Sequence, residues 1–123
     1  LASILLAEDD APMRGFLKLA LQKAGHSVTD CPDGTTALAE LENGGKFDLL
    51  LADIVMPGLD GISLSQQAMA IDPDLKVMFI TGFAAVAMNH PQLENAAPTA
   101  PKVMSKPFHL RDLVSQVEQI LAA

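Results

Sequence analysis

The chain has no tryptophan and no tyrosine, and five phenylalanines are its whole share of large aromatic rings. A platform that stacks successive bases of a single strand is excluded by that shortage. Basic residues are also scarce, eight Lys and Arg against 15 Asp and Glu, for a formal net charge of −7. Such a balance opposes non-specific DNA binding, which depends on neutralising phosphates. One cysteine, Cys31, cannot make an internal disulfide and fits a reducing, cytoplasmic setting. No apolar run approaches the roughly 18–20 residues of a membrane-spanning helix. Nor does any basic start followed by an apolar stretch read as a signal peptide. What remains is a chain of 123 residues, half of them hydrophobic. That is enough for one domain with one sizeable core and too little for two.

Short apolar runs alternate with helical periodicity from end to end. Ser3–Ala7 reads as a buried strand, and Met13, Phe16, Leu17, Ala20, Leu21 and Ala24 then recur at helical spacing up to Gly25. Ser27–Cys31 is a weaker strand, followed by a short helix carrying Ala37, Leu38 and Leu41. Phe47–Ala52 is continuously apolar, as a strand covered on both faces is. A third helix starts at Asp60-Gly61 and stops before Asp72-Pro73, since proline disfavours helix in its predecessor. Lys76–Thr81 and Lys102–Ser105 are further strands, and the last helix puts Leu110, Leu113, Val114, Val117, Ile120 and Leu121 on one face. The stretch from Phe83 to Pro101 holds three prolines, so only a short helical piece near Ala84–Met88 is expected there. Five alternations of strand and helix argue for a parallel α/β sheet with helices on both faces.

In such sheets ligands bind outside the carboxyl ends of the strands. The first strand ends in Glu8-Asp9-Asp10, the third in Asp53, the fourth in Thr81-Gly82 and the fifth in Ser105-Lys106-Pro107. One edge therefore collects carboxylates, a hydroxyl and an ammonium. Crowded carboxylates repel one another unless a cation intervenes, which points to a hard metal such as Mg²⁺. A metal, a carboxylate nucleophile, a lysine and a hydroxyl are the parts needed to accept and hold a phosphoryl group. Taken singly, each residue has a plainer reading as turn former, helix-start charge, strand exit or solvated lysine. Jointly, on all the right strand ends, they favour the site.

Glu8-Asp9, Asp53-Ile54-Val55-Met56-Pro57-Gly58-Leu59-Asp60-Gly61, Thr81-Gly82 and Lys106-Pro107-Phe108, in that order, resemble the receiver domain of bacterial two-component response regulators. The resemblance implies a flavodoxin-like (βα)5 three-layer sandwich with strand order 2-1-3-4-5 and a shortened or irregular fourth helix. It also implies that Asp53 is the phosphoacceptor, and that Asp9, Asp53 and the backbone carbonyl of Val55 ligate Mg²⁺ with Glu8 in support. Thr81 and Lys106 would meet the phosphoryl oxygens, and the Lys106-Pro107 bond would be cis. Asp10 matches no fixed functional position and reads as a helix-capping or solvent residue. The six methionines read as core filler, His26, His90 and His109 as surface or capping residues, and Cys31 as a quiet thiol.

Where many receivers carry an aromatic switch residue, three positions before the lysine, this chain has Val103. The stretch Phe79–Ala87, together with Leu5–Asp10, Asp53–Pro57, Ser105–Leu110 and the end Leu121–Ala123, narrows the likeness to the CpdR type of alphaproteobacterial single-domain regulator. That type implies a histidine phosphotransfer protein or histidine kinase as phosphodonor, and an unphosphorylated form that helps the ClpXP protease and its adaptors engage substrates during the cell cycle. The expectation is thus a cytoplasmic receiver over residues 1–123, with no output domain and no nucleic-acid or membrane partner. It would be a signalling switch rather than an enzyme, with Phe83, Ala84, Ala85 and Val86 as part of a partner surface. Two alternatives stand beside it. One is a receiver of a hybrid histidine kinase that relays phosphate onward. The other is a Mg²⁺-dependent phosphohydrolase, disfavoured because Val55 occupies the place where such an enzyme has a second acid.

Overall fold

The computed structural model describes residues 1–82 and 101–123. Five strands, β1 (Ser3–Ala7), β2 (Ser27–Cys31), β3 (Leu49–Asp53), β4 (Lys76–Thr81) and β5 (Lys102–Ser105), form one sheet in the order β2-β1-β3-β4-β5. Every neighbouring pair is parallel. The described helices are α1 (Ala11–Lys23), α2 (Gly34–Glu42), α3 (Gly61–Ile71) and α4 (Leu110–Ala122).

Side chains alternate across a strand, so an unbroken apolar run must feed two cores at once. Ile4, Leu6, Leu49, Leu51, Met78 and Ile80 meet Leu17 and Leu21 of α1 and Leu113 and Val117 of α4 on one face. Leu5, Ala7, Leu50, Ala52, Val77 and Phe79 meet Ala37 and Leu41 of α2 and Ile62, Leu64 and Ala68 of α3 on the other. Both layers are apolar, and β3, buried at every residue, is shared between them.

The helix boundaries follow local chemistry. Asp33 accepts from the Thr36 amide at 2.7 Å and Asp60 from the Ser63 amide at 2.8 Å, so α2 and α3 each start on a side-chain cap. The α1 helix instead has a proline in its first turn and ends at Gly25, whose φ of +98° suits glycine best. Gly61 is required for a different reason. A Cβ there would overlap the Asp53 carbonyl, so its absence lets α3 start directly against the end of β3.

Four sequence expectations need correction. Phe16 is 59% exposed on the outer face of α1 rather than in the core, because Leu17 and Leu21 already fill the inner face. His26 is buried, not a surface residue; its Nδ1 accepts from the Ala2 amide at 3.3 Å while Nε2 faces Glu118 Oε1 at 3.7 Å. Met69 is largely exposed, although Met78 and Met56 are core residues as expected. The strand read as starting at Phe47 starts at Leu49, and Phe47 packs beneath the α2–α3 layer. Cys31 is buried, and burial pushes its thiol up to about 11. The helical piece expected near Ala84–Met88 lies outside the described residues. No helix among the described residues is long and apolar enough to cross a membrane.

Two glycine substitutions should separate these effects in urea unfolding. Gly61→Ala should cost about 1–3 kcal/mol, as overpacking against fixed backbone does. Gly15→Ala, at an exposed α1 position with nothing within 4 Å of the new methyl, should gain about 0.5–1 kcal/mol from the lower entropy of the unfolded chain. Equal effects would contradict the packing described for α3.

Candidate functional site

Because all five strands point the same way, their last residues share one edge. Register puts Ala7 beside Ala52 and Thr81 beside Ser105. Glu8, Asp53 and Lys106, each at or one step past the end of its strand, therefore emerge at one level. The two acids are buried together: Glu8 is fully inaccessible and Asp53 is 5% exposed, while Lys106 is half-buried.

Lys106 joins them. Its Nζ lies 2.9 Å from Glu8 Oε1 and 2.9 Å from Asp53 Oδ2. The second oxygen of each carboxylate is met by backbone. Asp53 Oδ1 accepts from the Val55 amide at 3.1 Å, and Glu8 Oε2 from the Asp10 amide at 3.2 Å. Burial pushes the Glu8 carboxyl up to about 7; the Lys106 hydrogen bond opposes that rise and the Asp53 charge adds to it. Burial pulls the Lys106 ammonium down, but the two carboxylates outweigh it and hold it above its ordinary value.

A cavity of about 310 Å³ opens above this pair, walled by Glu8, Asp9, Asp10, Asp53, Val55 and Lys106, with Gly82 at its side. Carboxylate oxygens of Glu8, Asp9 and Asp53 lie within 4.8 Å of one another. Two of these groups are buried and the Asp9 side chain is exposed. Oxygen donors in such a cluster suit a hard divalent cation. The Lys106-Pro107 peptide bond beside the cavity is cis.

The family model for the response regulator receiver domain matches residues 4–118. The chain belongs to this family. It is 58% identical over 120 residues to the response regulator receiver protein CpdR of Brucella abortus, covering 98% of this chain and 97% of that one. It is 35% identical to the sensor kinase CckA of the same organism over 98% of this chain, which spans only 12% of the kinase. Among solved structures, a response regulator receiver protein from Sinorhizobium medicae superposes with a TM-score of 0.86 at 31% identity, over 99% of this chain and 95% of that one.

Of the receiver residues expected from sequence, Glu8, Asp9, Asp53, Val55 and Lys106 all line the cavity. Thr81 does not. Its side chain is fully buried at the end of β4, and its carbonyl accepts from the Lys106 amide at 2.7 Å. Val103, at the usual switch position, packs partly against the α2–α3 core and pairs with Phe79. Phe83, Ala84, Ala85 and Val86 lie outside the described residues. Asp10 is more than a capping or solvent residue. It stands at the N-cap of α1 without a side-chain cap bond, lines the cavity, and lends its amide to Glu8. Arg14 was not legible as a site residue at all. Its Nη1 donates to the Glu8 carbonyl at 2.8 Å, and a lone arginine one turn into a helix carries no sequence signal for that bond.

The ion pair should be measurable through pH. A folded pKa near 7 for Glu8, against an ordinary 4.5, means that the folded chain binds this proton more tightly. Stability from this group is then full below about pH 4.5 and is lost as pH rises through 7. Lys106→Met should cost about 1–3 kcal/mol at pH 8, where a charged Glu8 is left buried without its partner. The cost should shrink at pH 5, where Glu8 is protonated. Urea unfolding of both chains at both pH values checks this, and an equal cost at each would contradict it.

Proposed function

We propose that this receiver is a phosphorylation switch in which Asp53 accepts a phosphoryl group with the help of Mg²⁺ and the two states differ in affinity for protein partners. The observation that carries the reading is the Lys106 Nζ bridge, 2.9 Å from both Asp53 and Glu8 at the floor of an acidic cavity. Family membership supports it.

The residues fit a resident Mg²⁺. Asp9, Asp53 and the Val55 carbonyl would hold it, with Glu8 in support, consistent with the clustered carboxylate oxygens. Bound there, Mg²⁺ would offset the charge of the acidic cluster and of the incoming phosphoryl oxygens. In the transfer, an Asp53 carboxylate oxygen attacks phosphorus and the donor's P–N bond breaks. The electron pair stays on the histidine ring, and an acyl phosphate remains on Asp53. Lys106 is already in place to pair with the new oxygens. Thr81, buried beside it, would have to turn its hydroxyl towards them, and that turn would carry the change outward along β4.

The donor in this reading is a histidine kinase or a histidine phosphotransfer protein, and the setting is cytoplasmic. Likeness to CpdR over nearly the full length of both chains supports a CpdR-like output, in which the unphosphorylated form assists the ClpXP protease. The likeness to part of CckA supports a second reading, a receiver that relays phosphate within a hybrid kinase, at lower identity. In neither does the chain turn over an external substrate.

Intact mass after incubation with acetyl phosphate and Mg²⁺ tests the chemistry. The native chain should gain one phosphoryl group, and neither the Asp53→Ala chain nor a sample with EDTA should. With a phosphotransfer protein as donor the same pattern is expected, and failure with both donors would overturn the switch. A gain retained by Asp53→Ala would overturn the choice of acceptor.

A further inference from the structure

The exposed carboxylate of the acidic cluster is also the least restrained. Glu8 and Asp53 each have both oxygens engaged. Asp9 has no hydrogen bond or ion pair to its side chain among the described residues. Its direction must come from the backbone, above all from the peptide plane that joins Glu8 to Asp9.

That plane is held from outside the cavity. The Glu8 carbonyl accepts from Arg14 Nη1 at 2.8 Å. Arg14 is in turn anchored by its Nε to Asp30 Oδ2 at 3.3 Å, near the end of β2. Lys18 Nζ braces the same aspartate at 2.9 Å and touches nothing of the acidic corner. On the other side, the Glu8 amide donates to the Cys31 carbonyl at 3.1 Å, and the Arg14 amide to the Asp10 carbonyl at 2.8 Å. One guanidinium thus ties the β1–α1 turn to β2, using two edges of a rigid fork.

We infer that Arg14 is a positioning residue: by holding the Glu8 carbonyl it sets the Glu8–Asp9 peptide and so keeps the Asp9 carboxylate turned into the cavity. The inference rests on the phosphorylation-switch reading, since it concerns the cation that Asp9 would share. It also makes a prediction opposite to that of simple charge. A guanidinium near a cation site should weaken cation binding by repulsion, whereas a strut that aims a ligand should strengthen it.

The test is calorimetric titration of the full chain with MgCl₂, with far-UV dichroism melts as the check of folding. Arg14→Met should raise the Mg²⁺ Kd by roughly tenfold or more, as loss of a group that orients a metal ligand does. Arg14→Lys should raise it too, because a lysine keeps the charge but cannot serve both the carbonyl and Asp30. Lys18→Met, which removes a charge from Asp30 alone, should stay within about twofold. In acetyl phosphate labelling, the Mg²⁺ concentration giving half the maximal rate should rise in both Arg14 variants, while the rate at saturating Mg²⁺ is retained. A purely structural loss would not produce that split.

Tighter binding in Arg14→Met with no change in Arg14→Lys would overturn the inference in favour of charge. Should Arg14→Met fail to fold, Arg14→Lys decides alone, and native-like Mg²⁺ affinity in it would overturn the inference. A wild-type chain that neither binds Mg²⁺ nor labels would overturn the switch reading and this inference together. Normal wild-type binding beside unchanged Arg14 variants would overturn this inference only.

Discussion

Two buried carboxylates and one half-buried ammonium, at the end of a sheet, set the terms for the rest of this site. Glu8 and Asp53 leave adjacent strands at the same level, where their charges repel and neither has bulk water to spread the field. Lys106, arriving from beyond β4, is placed within hydrogen-bond distance of both. One cation cannot neutralise both carboxylates, and Asp9 and Asp10 add to the excess at the cavity. The remaining negative potential would favour a second, harder cation in the pocket. Burial, with the Asp53 charge adding to it, pushes the Glu8 carboxyl up to about 7.

The sheet supplies the precision with which these groups are placed. Strands whose side chains feed an apolar core on each face have little freedom to slide, because a one-residue slip would exchange the two cores. The register between β1 and β3 and between β4 and β5 is thereby fixed, and with it the height of Glu8, Asp53, Thr81 and Lys106. Gly61 allows α3 to begin against the Asp53 carbonyl, so β3 is held from its far side as well. The site residues stand on short turns, but the turns are clamped by rigid elements.

Most of the fold could be read from local pattern. Ser3–Ala7, Ser27–Cys31, Lys76–Thr81 and Lys102–Ser105 are strands with the expected bounds, and Asp60-Gly61 and Asp72-Pro73 do delimit α3. The misreadings share a cause. Phe16 was grouped by helical spacing and His26 and Met69 by residue type, yet burial depends on which helix face meets which neighbour. Phe16 falls one step off the inner ridge of Leu17 and Leu21, whereas His26 is covered by the chain's first residues and α4. No periodicity in a single segment reports a neighbour that comes from a hundred positions away.

The same division runs through the site. The order of acids, hydroxyl and lysine along the chain, with a strand before each, was enough to place Glu8, Asp9, Asp53 and Lys106 on one edge, because parallel strands must end together. Sequence also carried the family likeness, since its motifs are local. What only the tertiary structure decided is how those groups meet. It set Lys106 between Glu8 and Asp53, turned Thr81 into the interior, and engaged the Asp10 amide and the Arg14 guanidinium in support of Glu8. Those contacts depend on distances between elements far apart in the chain, and such distances are products of core packing that no run of residues encodes by itself.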